Sequence, residues 1–453
     1  MEVQFIGAIG TVTGSKLLIT HEGTRVLVDC GLFQGVKVLR ERNWRRPPFD
    51  PAALDAVVLT HAHIDHSGQL PLLVRHGFRG PIYTSAATHD LCDILLPDSG
   101  RLQEEAAGYA NRKRFSKHAP ALPLYTEEDA KRVSGRFRPL AFDTPQQIGA
   151  LEVTLVPAGH ILGAAGVVVR GGGTSVHISG DIGRDNDSVM PPPRPPANVD
   201  WVIMESTYGG RTHDDTDPVE ALAAIVRKTV ARQGVLLIPA FAVGRTQAVM
   251  HALQQVFDRG LAPTTEVFVN SPMATDVTEL YLRHHELHRL SETATRTLCR
   301  GVTFVRSVEE SKRLNERSGP MIIVSASGML TGGRVLHHLR AFASDPRNTI
   351  LLTGYQAPGT RGASLVGGAA EIKIHGEYVP IRAEVAQLHV FSAHADEPGL
   401  VAWLGRASPP PRGVLLVHGE AVAADALRVK LRETLHIDAR APDYLEVVDL
   451  SAT

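Results

Sequence analysis

Apolar and polar positions alternate along the first part of the chain in short runs, VQFIG, KLLIT and TRVLVDCG, separated by glycine-containing turns. A period of two is that of a strand with one buried face, so this stretch predicts β structure. AVVLT (residues 56–60) is a continuous apolar run, as expected of a strand covered on both sides. QLPLLVRHG follows as a helix that stops at Gly77, and PIYTS as another strand. Residues 87–135 read as mostly helical, with mixed charge on an exposed face. LEVTLVPAGHILGAAGVVVRGGGTSVHISGD then predicts three more strands. The pattern is a β-rich sandwich with helices outside.

The period changes after MPPPRPPANVD (190–200), a proline-rich segment that reads as a stiff linker. PVEALAAIVRKTVARQG predicts a helix ending in glycine, VLLIPA a strand, and GRTQAVMHALQQVFDRG a helix. TEVFVN, MIIVSA and NTILLTGY predict further strands. Strand–helix alternation at this spacing predicts a doubly wound, parallel α/β domain. GVLLVHGE and the helix AVAADALRVKLRETL fit either part on pattern alone.

Composition narrows the class. A chain of 453 residues with 43% hydrophobic content predicts two or three domains with sizeable cores. Lys+Arg is 47 against Asp+Glu 48, so any site for a polyanion must be a local patch. The cations are mostly arginine, which suits bidentate contacts to phosphate. Cys30, Cys92 and Cys299 are far apart and form no CxxC pair, which fits a reducing compartment. The N-terminus reads as a strand and not as a signal peptide, and no apolar run approaches a membrane span. A cytoplasmic protein without membrane contact is expected.

Directly after the buried strand AVVLT comes THAHIDHSG, which crowds His61, His63, Asp65 and His66 into one loop. Four such groups do not fit one tetrahedral ion, but alternate side chains on a loop can feed two adjacent metal sites. Nitrogen and carboxylate ligands suit zinc, with manganese or iron as lesser options. Partners must come from other strand ends. PAGHILGAA offers His160 and SGDIG offers Asp181, a carboxylate able to bridge two ions. LVDCG places Asp29 where it can orient a ligand histidine, and Cys30 beside it reads as a buried apolar thiol. His76 and His118 are assigned to the surface, His177 to a strand face, and the pair His337–His338 to a helix surface.

HAHIDHSG with Asp29, His160 and Asp181 resembles the metallo-β-lactamase fold, an αββα sandwich with a binuclear zinc site at one edge. VIMESTYGGRTH, AFAVGRTQ, NSPMA, SASGMLTGGR, LTGYQAPGTRGASL, FSAHAD and LLVHGE, in that order, resemble the β-CASP nucleases. The likeness is to their RNA-processing branch, near the cleavage and polyadenylation endonuclease and its prokaryotic relatives. The resemblance implies an α/β protein in three segments: residues 1–207 of the sandwich, 208–380 as an inserted β-CASP domain, and 381–453 returning to the sandwich. It implies that His61, His63 and His160 hold one zinc, that Asp65, His66 and His418 hold a second, and that Asp181 bridges them. Glu205, His394 and His418 match the family's motifs A, B and C, and a histidine in the last favours RNA over DNA. Asp65, Glu205 and His394 are the implied catalytic groups, with His394 as general acid and Glu205 as its partner. The implied reaction is hydrolysis of single-stranded RNA by a zinc-activated hydroxide, leaving 5′-phosphate and 3′-hydroxyl ends, as an endonuclease, a 5′→3′ exonuclease or both. A homodimer is plausible in this reading.

Ser325, Ser327, Gly328, Arg245, Arg334, Arg361, Lys373 and Ser392 are the candidates for RNA contact, on the ground that glycine- and serine-rich turns and arginines cradle phosphates. His389-Val390 ahead of Phe391 departs from the family pattern, which has small residues there. Two rival readings are an ester or thioester hydrolase on the same sandwich, which lacks so large an α/β insertion, and a non-catalytic RNA-binding subunit that retains its metals.

Overall fold

The structure, a computed structural model, describes residues 1–114 and 116–451. The chain forms two compact units, one of Met1–Thr212 with His394–Thr453 and the other of His213–Ala393. No helix among the described residues is long and apolar enough to cross a membrane.

The first unit is a sandwich of two seven-stranded sheets. In one sheet the order is Val447–Asp449, Glu2–Gly7, Lys16–His21, Thr24–Val28, Ala56–Val58, Ile82–Thr84, Phe137–Pro139. In the other it is Ala439–Arg440, Gly413–Val417, Trp201–Glu205, Thr174–Ile178, Ala165–Gly171, Leu151–Pro157, Gln146–Ile148. Alternate residues of both sheets meet between them: Val3, Phe5, Ile19, Val26, Val28 and Val58 against Val153, Leu155, Val167, Val176 and Ile178. On the other face of the second sheet, Val202, Met204, Val414 and Leu416 pack under helices Glu397–Gly405 and Ala421–Leu435, with Trp403 at the centre.

One pairing closes the unit. Gly413–Val417 runs parallel to Trp201–Glu205 in full register, from Trp201 opposite Gly413 to Glu205 opposite Val417. The sequence pattern left GVLLVHGE unassigned; its hydrogen bonds place it in the sandwich. The register sets His418 one step beyond the strand end that carries Glu205.

The proline-rich segment is not a linker between the two units. Its Pro193, Pro196 and Val199 are buried, Arg194 N–H donates to Pro157 O, and the indole N–H of Trp403 donates to Arg194 O. A fixed φ made the segment look like a spacer, but the same stiffness suits a strap across the sandwich.

The second unit is a parallel sheet in the order Val302–Phe304, Val267–Asn270, Met321–Ser325, Val235–Pro239, Thr349–Leu352, Glu384–Gln387. Successive residues of one strand serve opposite faces. Leu236 and Ile238 meet helices Pro218–Ala231 and Arg245–Asp258, while Val235 and Leu237 meet Val335–Phe342. Val390, one of the two residues that depart from the family pattern, joins the first of these cores beside Phe391, so its bulk is spent on packing.

His338 corrects the expectation of a helix surface. His337 is exposed, but His338 lies on the inward stripe with Val335, Leu339 and Phe342, and its ring lies 2.5 Å from Asn270 Nδ2 and 2.6 Å from Asn315 Oδ1. Burial, then the charges of His337 and Arg334, pushes its pKa down to about 4 from 6.5. The folded protein therefore takes up this proton less readily than the unfolded chain, so stability is full above about pH 6.5 and is lost as pH falls toward 4. Between pH 7 and pH 5 the loss from this residue is expected to be about 2 kcal/mol. Urea unfolding of wild type and His338→Gln at both pH values checks it: the variant should lose that part of the pH dependence, and identical dependence in both would contradict it.

Candidate metal centre

The site residues arise from elements of the first unit alone. Thr24–Val28 delivers Asp29, and Ala56–Val58 leads into Thr60, His61 and His63. A helical turn, Ile64–Ser67, then turns Asp65 and His66 into the same space. Loops after Leu151–Pro157 and Thr174–Ile178 supply His160 and Asp181, and the paired strands Trp201–Glu205 and Gly413–Val417 supply Glu205 and His418. Close approach dictates glycine at Gly31, where an added Cβ would lie 1.5 Å from Asp65 O. Gly180, at φ +57, makes the left-handed turn that aims Asp181. Asp29 and His418 themselves sit at φ 62 and 48, conformations that cost about 1–3 kcal/mol each and that cluster at functional sites.

Asp181 stands at the centre with its side chain 2% exposed. Its Oδ2 lies 3.4 Å from His61 Nε2 and 3.5 Å from His160 Nε2. Its Oδ1 lies 3.3 Å from His66 Nε2 and 3.4 Å from the His418 ring, and accepts no hydrogen bond although it is buried. One carboxylate thus faces two ligand sets. The first set is completed by His63 Nδ1, which is 3.2 Å from both His61 Nε2 and His160 Nε2. In the second, His418 Nε2 is 3.1 Å from His66 Nε2 and 3.6 Å from Asp65 Oδ2.

These distances test whether metal fits. Four ligands about 2.05 Å from a zinc-sized ion form a tetrahedron with edges of about 3.3 Å. Imidazole nitrogens meeting nitrogen to nitrogen at that spacing cannot all hold protons toward one another, whereas a shared cation satisfies every lone pair. Both sets fit a divalent ion.

Neighbouring groups fix which nitrogen is free. Asp29 Oδ2 accepts from His66 Nδ1–H at 2.7 Å, and Asp29 Oδ1 accepts from the backbone N–H and the hydroxyl of Thr60. Thr60 Oγ1 lies 3.1 Å from His61 Nδ1, and Thr207 Oγ1 donates to His418 O while lying 3.1 Å from His418 Nδ1. In His66 and His61 Nδ1–H is taken, so Nε2 turns inward as a lone pair, while His418 Nδ1 lies against both Thr207 and Asp181 Oδ1 and its Nε2 faces His66. Thr60 and Thr207 escaped the sequence reading, since a threonine beside a histidine carries no signal of its own.

Electrostatics point the same way. Burial, and then the neighbouring imidazoles, lowers the pKa of His61, of His63 to about 3, and of His160 well below its usual value, which keeps them neutral. Burial works against charge on Asp65 and Asp181, but the surrounding histidines outweigh it and hold both carboxyls below the usual range. Burial also opposes charge on His66, and there Asp181 and Asp29 prevail and raise it well above normal. The pocket therefore calls for positive charge. Cys30, its thiol pushed up to about 12 chiefly by burial, stays a buried neutral group.

At the mouth of this centre His394 Nδ1 sits 3.0 and 3.1 Å from the two oxygens of Glu205, which is fully buried and also accepts from Ile182 N–H at 2.6 Å. His394 Nε2 points toward Asp181 Oδ2 at 3.9 Å. Burial disfavours its charged form, yet Glu205 and Asp181 together raise its pKa to about 9.

The candidates for RNA contact fare differently. Ser325 and Ser392 are buried, and the Ser325 hydroxyl donates to Asn270 O. Arg334 holds Asn270 Oδ1, Val305 O and Arg306 O, while Arg361 holds Lys373 O and Leu330 O. Ser327 pairs with Thr331, an added Cβ on Gly328 would strike the Phe241 ring, and Arg245 lies against Gly354. These residues brace the turns of the second unit. Lys373 is exposed, over the Tyr378 ring.

Three family models match the chain in turn: the metallo-beta-lactamase superfamily over residues 10–233, the Beta-Casp domain over 246–365, and the Zn-dependent metallo-hydrolase RNA specificity domain over 378–442. Ribonuclease TTHA0252 of Thermus thermophilus is 39% identical over 429 residues, 93% of each chain. The transcription termination factor FttA of Methanosarcina mazei is 31% identical, covering 99% of this chain and 72% of that one. A solved structure of a protein of unknown function from Enterococcus faecalis superposes with TM-score 0.53 over 99% of each chain at 14% identity, a likeness of fold alone. With three family models matched in turn and a ribonuclease matched along nearly its whole length, the chain belongs to the β-CASP family of metallo-β-lactamase-fold ribonucleases, metal-dependent hydrolases.

Proposed function

We propose that this ribonuclease hydrolyses phosphodiester bonds of single-stranded RNA at a pair of zinc ions, leaving 5′-phosphate and 3′-hydroxyl ends. The observation that carries the reading is the division of the Asp181 carboxylate, Oδ2 toward His61 and His160 and Oδ1 toward His66 and His418. His61, His63 and His160 would hold one ion, Asp65, His66 and His418 the other, and Asp181 both. When bound, the ions supply Lewis acidity, which brings the pKa of water toward neutrality and draws charge from a phosphate oxygen.

The chain's own groups do the rest. Glu205 holds His394 by Nδ1 and leaves Nε2–H directed into the site. A pKa raised to about 9 keeps that proton in place at neutral pH. As the bond from water to phosphorus forms and the bond to the 3′ oxygen breaks, the leaving oxygen takes the proton from His394 Nε2. The description of the segment 378–442 as an RNA specificity domain supports RNA as the polymer.

His394→Ala is expected to slow cleavage of an end-labelled RNA by about 10²–10⁴, with metal content by elemental analysis unchanged. Undiminished cleavage would remove His394 from the chemistry. Wild-type protein that binds the same RNA and two metals without cutting it would support the subunit reading instead.

Asp29→Asn tests the support of the ligands. The amide replaces an ionic acceptor for His66 Nδ1–H with a neutral one, so metal affinity in a chelator competition is expected to fall about 10–100-fold. An unchanged affinity would show that Thr60 and packing alone orient His66.

A further inference from the structure

On the flank of the first unit three arginines gather without an acid. Phe137–Pro139 is the edge strand of one sheet and Gln146–Ile148 that of the other. Beside them opens a groove of about 540 Å³, lined by Arg79, Arg136, Arg138, Tyr83 and Gln146 among others. Tyr83 and Arg138 are partners in the parallel register, so their side chains leave the sheet on one face, where Tyr83 is half-buried at the margin of the sandwich core and Arg138 is exposed. Arg79 and Arg136 come from the turns that precede the two strands.

Each guanidinium is fixed by carbonyl oxygens and, among the described residues, by no carboxylate. Arg79 donates to Val74 O and Phe78 O at 3.0 Å, Arg138 to Gly135 O at 3.1 Å and Phe137 O at 2.8 Å, and Arg136 to Arg79 O. The neighbouring cations Arg75 and Arg132 are paired with Asp129, which leaves that acid engaged elsewhere. Burial, then Arg79 and Arg138, lowers the pKa of Arg136, and its Nε is buried without a hydrogen-bond partner. Three like charges held this way repel one another until an anion joins them. In a chain of net charge −1 such a cluster is a local feature, not an overflow of basic residues.

We propose that this groove is a second, non-catalytic RNA site, in which the arginines take backbone phosphates and Tyr83 takes a base. Guanidinium forks match phosphate oxygens in pairs, and an aromatic beside a cationic track is the usual platform for an unpaired strand. The proposal rests on RNA being the substrate. Its position gives it a role of its own. Ala56–Val58, Ile82–Thr84 and Phe137–Pro139 are parallel neighbours. His61 follows the C-terminal end of the first, while Arg79 and Arg136 precede the N-terminal ends of the other two. The groove and the metal centre thus flank opposite ends of these strands, so an RNA must extend beyond the metal centre to occupy both, and the groove would favour longer RNA.

The test compares KM and kcat of wild type and the double variant Arg79→Gln, Arg138→Gln on RNAs of about 8 and about 40 nucleotides. The variant is expected to raise KM for the long RNA about ten-fold and to flatten its dependence on log salt by about 1.4, two phosphate contacts at about 0.7 each. Cleavage of the short RNA and kcat for both should be unchanged. An unchanged long-RNA KM, or an equal rise for both lengths, would overturn the proposal. If the double variant melts early, Arg138→Gln alone, at an exposed position, should shift the long-RNA KM about three-fold, and no shift there overturns it equally. Wild-type protein that cuts neither length would instead refute the proposed cleavage, and a gel shift with the long RNA would still report on the groove.

Discussion

A carboxylate buried among imidazoles is expensive unless a cation accompanies it, because removing a charge from water costs several kcal/mol even after relaxation. Asp181 is such a carboxylate, and it meets ring nitrogens of His61, His160, His66 and His418 at 3.3–3.5 Å. Asp29 and Thr60 hold the ring of His66, Thr60 also touches that of His61, and Thr207 holds that of His418. The geometry of the centre therefore depends on how firmly one shared acid is surrounded.

That enclosure is assembled from the far ends of the chain. His66 and His418 are 352 residues apart, and Glu205 and His394 are 189 apart. The bond between strands Trp201–Glu205 and Gly413–Val417 joins them, since a shift of one residue in that register would turn every side chain to the opposite face. The second unit can therefore be a large insertion without disturbing the site, because its own sheet and cores are complete within it.

Local chemistry was the legible part of the sequence. HAHIDHSG sets His61, His63, Asp65 and His66 side by side, and the strand ends SGD and LVDCG bring Asp181 and Asp29 against them. The four central parallel strands of the second unit were equally plain, since both faces of each are covered and the runs are largely apolar, whereas the half-buried edge strands Val302–Phe304 and Glu384–Gln387 were not. Tertiary context governed what was missed. The proline-rich strap has the composition of a linker, and only its contacts with Pro157 and Trp403 show otherwise. His338 differs from His337 by one position on a helix, so its burial follows from the direction of the core and not from its residue type. Ser325, Arg334 and Arg361 carry the chemistry of phosphate contact, and the bonds they make to Asn270, Val305 and Leu330 belong to turns that a sequence does not display.

The central claim is that the Asp181 carboxylate is shared between two ions. Diffraction at the zinc absorption edge, from crystals of the zinc-loaded protein, tests it most directly. Two anomalous peaks are expected on either side of Asp181, one among His61, His63 and His160 and one among Asp65, His66 and His418. A single peak, or two peaks of which neither lies against Asp181, would contradict it.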